Sequence, residues 1–436
     1  MFKIFFTKLQ NYKIKNSHIL YARSGQSLAE VMIGLAIGAI LIGAASFAIT
    51  TMLKTNLSAQ RSQFAANLAQ ETIERVRSYA SADWQNVYGL TKGSSTPYYF
   101  VASGTQFFAV QGTEGIIEND IQSGLVGHWG FDEATGTTAY DGTGNRYNGV
   151  LTNSPIRATS TCKIGNCISF GSGSTYVNVV GTSTLNFANN GIFSISIWVN
   201  PDTLMSSWRR GIIVQENYLT SGYRLGFYNG GQPMFWTTQS GGSLQLNSSQ
   251  NLIVNSWNHI VVTYDNQQAN IYKDGILAGS ATGTYVMGLN AVRIGAAVSE
   301  YFSGKIDDVR FYNHALSADE VKQLYNSSVY SRSFYIENAC RTNDASSTYS
   351  GVSPCGGGSV DDPSSQKVTA QVDWGTGFGS GRVVLSDMLT RWKNAIFQQT
   401  DWSGGVSGDV LINSGTTFAS SSNVNSGGGS LRINGL

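Results

Sequence analysis

Val31 to Leu53 is a run of 23 residues without a formal charge, and no other stretch limits the fold as strongly. As a helix it is long enough to cross about 30 Å of hydrocarbon. An acid, Glu30, stands directly before it. Upstream lies a basic leader with Lys3, Lys8, Lys13, Lys15 and Arg23 and no acid up to Gly25. A cleaved secretory signal has a shorter apolar core and a small-residue exit site. Here the run passes straight into "LKTNLSAQRSQFAANLAQETIERVRSYA". In that continuation Leu53, Leu57, Phe64, Leu68, Val76 and Tyr79 fall at helical spacings, and no proline intervenes. The pattern predicts one long helix from about Ser27 to Ala80.

A carboxylate in hydrocarbon costs several kcal/mol unless it is partnered. Cleavage after Gly25 would make Gln26 a free N-terminal amine close to Glu30. In an assembly, the amine of one subunit can neutralise Glu30 of its neighbour. This arrangement resembles the class III signal of type IV prepilins and type II secretion pseudopilins, with Gly25, Gln26 and Glu30 matching position by position. One residue departs from the family, which usually has an N-methylated Phe where this chain has Gln26. The resemblance implies cleavage by a prepilin peptidase and assembly with other pilin subunits. It also implies a single pass through the inner membrane before assembly and a place in a cell-surface filament afterwards.

The 436 residues leave room for two or three domains at about 150 residues each, and only 13% are charged while 50 are Gly. That texture is closer to a surface β protein than to a cytosolic α/β enzyme. The net charge of +1 includes the basic leader, so the remainder is mildly acidic, which argues against nucleic acid as a partner. Four cysteines fall in two close pairs, Cys162 with Cys167 and Cys340 with Cys355. Three connectivities are open, but the turn-rich surroundings suggest two small local loops in an oxidising compartment. Neither pair has C-x-x-C spacing, and histidines are too few nearby for zinc.

Beyond the helix, "YYFVASGTQFFAVQGTEGIIENDI" and, far downstream, "VYSRSFYIENACRTND" read as strands. Between them, over 124–326, short alternating strands recur with Gly, Asn and Asp turns, as in a β-sandwich. In "FSISIWV", Phe193, Ile195, Ile197 and Val199 face one way and Ser194, Ser196 and Trp198 the other. "WNHIVVTYDNQQANIYKDGILAGS" reads as three strands turned at Asp265–Gln268 and Lys273–Gly275. Ser317 and Glu320 form a capping box for a short closing helix.

Four segments in order, "GLVGHWGFDEATGTTAYDGTGNRYNGVL", "ISFGSGSTYVNV", "SWNHIVVTYD" and "SGKIDDVRFYNHALSADEVKQLY", resemble a laminin-G-like, concanavalin-A-type jelly roll. In that fold the first and last strands are neighbours, so the module can be inserted into a surface hairpin of a host. The expected fold is therefore α+β and pilin-like, a long N-terminal helix plus an antiparallel sheet, with an inserted all-β jelly roll. Its parts are a leader (1–25), the membrane and assembly helix (26–80) and a first host part (81–123). The jelly roll (124–326), a second host part (327–402) and a Gly/Ser-rich tail (403–436) follow. Cys340 and Cys355 then lie where many pilins carry a C-terminal disulfide loop.

Glycan-cleaving relatives of this fold place paired carboxylates on a central strand, as in E-x-D-x-E. No strand here has such a run, and no histidine lies beside a nucleophile motif. His259, in a family-typical strand, reads as structural. The chain is thus read as a non-enzyme. The "YDGTGN" turn offers Asp141, the Gly142 carbonyl and Asn145, hard oxygen ligands suited to Ca2+. The resemblance adds Asp307 from the "GKIDDV" strand, with Asp308 as the alternative choice. An ordinary Asx turn explains the same residues without a metal. Tyr223, Tyr228, Trp236 and Tyr301 are the candidate aromatic platforms for a glycan.

Overall fold

The computed structural model describes residues 28–391, apart from 172, 180–184, 186, 205–209, 218–219, 229, 238–243, 298–299, 343–348, 353–354, 356–358 and 376–379. Gly25, Gln26 and the tail 403–436 lie outside the described residues.

One helix runs from Leu28 to Ala82. Its first half is the apolar run, with Leu28, Met32, Leu35, Ile40, Leu41 and Phe47 all more than half exposed. It is long and apolar enough to cross a membrane, with a mean hydropathy of 2.3 in its best window. From Gln60 onward the helix belongs to the second compact unit of the chain. There Ala65, Ala69, Ile73 and Val76 are buried, flanked by the partly buried Phe64, Leu68 and Tyr79. The expected stripe is thereby corrected at its start: Leu53 and Leu57 stay exposed. The buried line is built on alanines at helical spacing, which let a sheet approach closely. A short second helix, Gln85–Tyr88, follows.

The sheet that covers this helix has seven strands. Its main order is Gln106–Gln111, Tyr98–Ser103, Val329–Arg341, Val360–Trp374 and Gly381–Thr390. Glu114–Ile117 and Tyr349–Val352 also pair with Val329–Arg341. Strands from before residue 118 thus pair with strands from after 328. Their core joins the helix alanines to Tyr98, Phe100, Tyr330, Phe334, Ile336, Val368 and Val372.

Between these halves lies a sandwich of two eight-stranded antiparallel sheets. One sheet is centred on Phe193–Pro201 and Gly304–Tyr312, the other on Ser221–Tyr228 and Arg210–Asn217. The hairpins turn at Asp265–Gln268 and after Lys273, between strands Asn258–Asp265, Gln268–Lys273 and Ile276–Thr282. The first strand, Leu125–Trp129, pairs with the last, Gly304–Tyr312, with Trp129 opposite Val309. Just outside the sandwich, Ile117 stands opposite Val329. The chain therefore leaves the host sheet and returns to it at adjacent points.

Phe193, Ile195, Ile197 and Val199 enter the sandwich core, where 36 of the described residues cluster. The opposite face of that strand is not solvated: Ser194, Ser196 and Trp198 are buried as well. The closing helix Ala318–Asn326, with the Ser317–Glu320 capping box in place, helps to cover this side of the sheet. Val321 and Leu324 pack on Val261, Tyr272 and Tyr312, and Trp198 packs with Ile117 and Ile164. Alternation marks which residues share a face, but the cover comes from segments distant in sequence.

Candidate functional site

Both cysteine pairs are bonded locally, Cys162 to Cys167 and Cys340 to Cys355. The shorter loop is held from inside. Asp307 Oδ2 accepts the Lys163 and Ile164 N–H groups, each at 2.9 Å. Asp132 Oδ1 accepts the Asn166 N–H at 3.0 Å, and its Oδ2 accepts the N–H of Gly115, in the host sheet, at 2.9 Å. Asp132 and Asp307 are both buried, and burial pushes each carboxyl well above the usual carboxylate range. Gly165 sits at φ +57°, and a Cβ there would meet Asp132 Oδ1 at 2.1 Å. The loop thus lies too close to the host strand for any side chain at that position.

Further polar contacts extend this seam between sandwich and host. Thr113 N–H donates to Asp132 O, Ala134 N–H to Gln111 O, and Gly104 N–H to Gly144 O. The Phe108 and Tyr140 rings meet edge to face at 5.0 Å. Arg310, almost fully buried, pairs with Asp308 on its own strand and with Asp120 on the segment leading into the sandwich. His128 Nε2 contacts Asp308 Oδ1 at 2.8 Å, an oxygen that Arg310 Nε also reaches at 2.9 Å. These partners hold the Asp308 carboxyl below its ordinary range against the desolvation that would raise it. In a chain with so few charges, the acid-bearing motifs "WGFDE" and "GKIDDVRF" were the available signal. Their pairing was missed because it joins separate elements, 17 and 34 positions apart for Asp132 and more than 140 for Asp307, Asp308 and Arg310.

The proposed calcium turn is also fully placed. Asp141 is buried and its Oδ1 accepts the N–H groups of His128 and Thr143, while Oδ2 accepts that of Tyr147. The Thr143 hydroxyl bridges both oxygens at 2.8 Å. Asn145 turns its amide to Val126 O, and Gly142 N–H donates to His128 O. Asp307 faces the disulfide loop and has no hydrogen-bond partner in common with Asp141. Among the described residues no three His, Cys, Asp or Glu side chains group as a metal site. As placed, these groups make the hydrogen bonds of an Asx turn.

Of the four candidate aromatics, one is corrected outright. Tyr223 is fully buried in the sandwich core, against Phe193 and Phe235, so its ring has no open face. Tyr228 is 38% exposed, Trp236 is half-buried with the Arg224 guanidinium 5.8 Å from its ring, and Tyr301 is half-buried. These three share no common pocket among those described.

A cavity of about 390 Å3 opens where sandwich and host meet. Helix residues Glu71 and Arg75, strand residues Tyr99 and Phe107, and His128 and Tyr140 of the sandwich are among its walls.

Two family models match the chain. Residues 21–46 match the prokaryotic N-terminal methylation motif. Residues 171–322 match the concanavalin A-like lectin/glucanases superfamily. The chain therefore carries the N-methylation motif of type IV pilins together with a laminin-G-like, concanavalin A-type domain. No curated protein sequence matches it. Among solved structures it is similar to domain 4 of AbnA, a GH43 extracellular arabinanase from Geobacillus stearothermophilus, in complex with arabinotriose. That match has 22% identity over 47% of this chain and 100% of that one, with a TM-score of 0.40. It is also similar to the Ruminococcus gnavus IT-sialidase CBM40 bound to alpha2,3 sialyllactose, with 15% identity over 36% and 95% and a TM-score of 0.31. A third likeness is to Trypanosoma rangeli sialidase, with 15% identity over 46% and 32% and a TM-score of 0.36.

Proposed function

We propose that this chain is a minor type IV pilin, cleaved after Gly25, that carries its jelly roll into a surface filament as a non-catalytic, carbohydrate-binding adhesion module. The observation that carries the reading is the insertion itself. A helix-backed sheet is interrupted between Ile117 and Val329, and the interruption is a complete lectin-like sandwich. A module of this bulk is accommodated more easily at a filament tip or at sparse positions than in every subunit. In this reading the partners are other pilin subunits, prepilin peptidase, the inner membrane before assembly and a glycan on a neighbouring surface afterwards.

Immunogold labelling of intact cells tests it. Gold along or at the end of surface filaments, with loss of adhesion on deletion, is the expected result. Secreted proteins trapped inside the deletion strain, with adhesion intact, would instead make it a type II secretion pseudopilin whose insert recognises cargo.

A further inference from the structure

We propose that the cleft between the sandwich and the host sheet is the saccharide site and that it takes a neutral oligosaccharide; this rests on the carbohydrate-binding reading above. The cleft is built by both partners. Along strand Tyr98–Ser103, Tyr98 and Phe100 join the helix-side core, which turns Tyr99 and Val101 to the other face, toward the sandwich. Tyr99 is only 7% exposed as a residue, and it is one of the cavity's wall residues. Its hydroxyl is not one of the buried polar atoms that lack a partner, so it is open to the cleft and can donate to a ligand there.

The other wall groups supply what a sugar needs and little that a different ligand would want. Arg332 donates to Glu114 only through Oε2, and it also binds Glu71. Glu114 Oε1 is left as an acceptor in the same cleft as Tyr99. Phe107, half exposed, offers a ring face, with the Arg75 guanidinium 5.3 Å from its centroid. A donor, an acceptor and a flat apolar face match the hydroxyl and C–H surfaces of a pyranose or furanose.

Charge narrows the class. The guanidinium groups of Arg332 and Arg310 already hold carboxylates, and Glu71, Glu114 and Asp120 already hold guanidinium groups. Arg75 also holds Glu71, Arg157 holds Glu133, and the two Asp132 oxygens accept the Gly115 and Asn166 N–H groups. The wall acids outnumber the wall arginines, which disfavours an anion, and each acid already has a partner, so a neutral polyol fits best. The cleft is also rigid, because the seam's backbone hydrogen bonds fix one wall against the other, so little ordering cost falls on binding.

The test uses the full-length chain in detergent, with fluorescent arabinotriose, cellotriose, lactose and alpha2,3 sialyllactose as probes. Tyr99→Phe removes one hydroxyl and Phe107→Ala one exposed ring, and both should melt like the parent. Each should weaken the neutral probe that binds by roughly tenfold, one hydrogen bond or stacking contact being of that order. Trp236→Ala, on the other sheet of the sandwich and outside the cleft wall, should leave affinity unchanged. Parental affinity in both cleft variants, with loss in Trp236→Ala, would overturn the cleft and keep the carbohydrate reading. Binding of sialyllactose alone would overturn the neutral class. Binding of no probe would count against the carbohydrate reading as well as the cleft.

Discussion

Burial pulls the His259 imidazole from its ordinary value down to about 4, although Asp308 and Asp274 nearby favour its charged form. The ring is 1% exposed, stacks on Trp198 at 4.6 Å and meets the Ser196 hydroxyl at 2.9 Å through Nε2. Its neutral form is therefore part of the fold. Because the folded value lies below the unfolded one, the unfolded chain takes up the proton first as pH falls. Stability is lost between about pH 6.5 and pH 4, by on the order of 3 kcal/mol. Asp132 and Asp307 act with the opposite sign, since their raised values favour folding as pH falls. His259→Gln keeps a polar partner for Ser196 and removes the titration, while the two carboxyls are common to both proteins. Denaturant midpoints measured from pH 7 to pH 4 should fall less in the variant. Parallel curves would mean the imidazole is protonated in the folded state.

At the scale of elements, the two disulfide loops invite a ranking. Loop-closure entropy alone gives about 2 kcal/mol for a loop of five residues and about 3 for one of fifteen, so the Cys340–Cys355 bridge should matter more. The structure argues for the reverse. Loop 162–167 presents three backbone N–H groups to two buried carboxylates, and one of those carboxylates also holds host strand Glu114–Ile117. Replacing Cys162 and Cys167 by alanine should therefore cost more, by chemical denaturation, than replacing Cys340 and Cys355. A ranking by loop length would show that the carboxylates keep their partners without the bridge. Much of this level was legible: the long helix, the hairpin turns and the capping box follow from period and turn chemistry. Tyr223 was legible too, because it shares a strand phase with Leu225 and Phe227, which are core, while Tyr228 has the opposite phase. What stacks on a face is a different matter. The cover over Trp198 and the pairing of Asp120 with Arg310 depend on long-range packing that no local pattern encodes.

For the whole molecule, topology and energetics give different answers about whether the sandwich is separable. Topologically it is: Trp129 stands opposite Val309, Ile117 stands opposite Val329, and a two-residue Asn-Gly turn would close the host hairpin. Energetically the host has come to depend on it. Tyr99 and Val101, buried at 7% and 4% exposure, would face water, at about 1.5–3 kcal/mol for each large apolar side chain uncovered. The Gly115 N–H would lose Asp132. A chain with 118–328 replaced by that turn should keep the helix–sheet core, since none of those core residues lies in the removed segment. It should melt lower than the parent's host sheet and bind a hydrophobic dye. In cells it should still enter filaments, because Glu30 and the apolar helix are untouched, yet it should no longer support adhesion. An unchanged melting point without dye binding would show that the seam adds no stability to the host. Lost incorporation would show that assembly requires the insert.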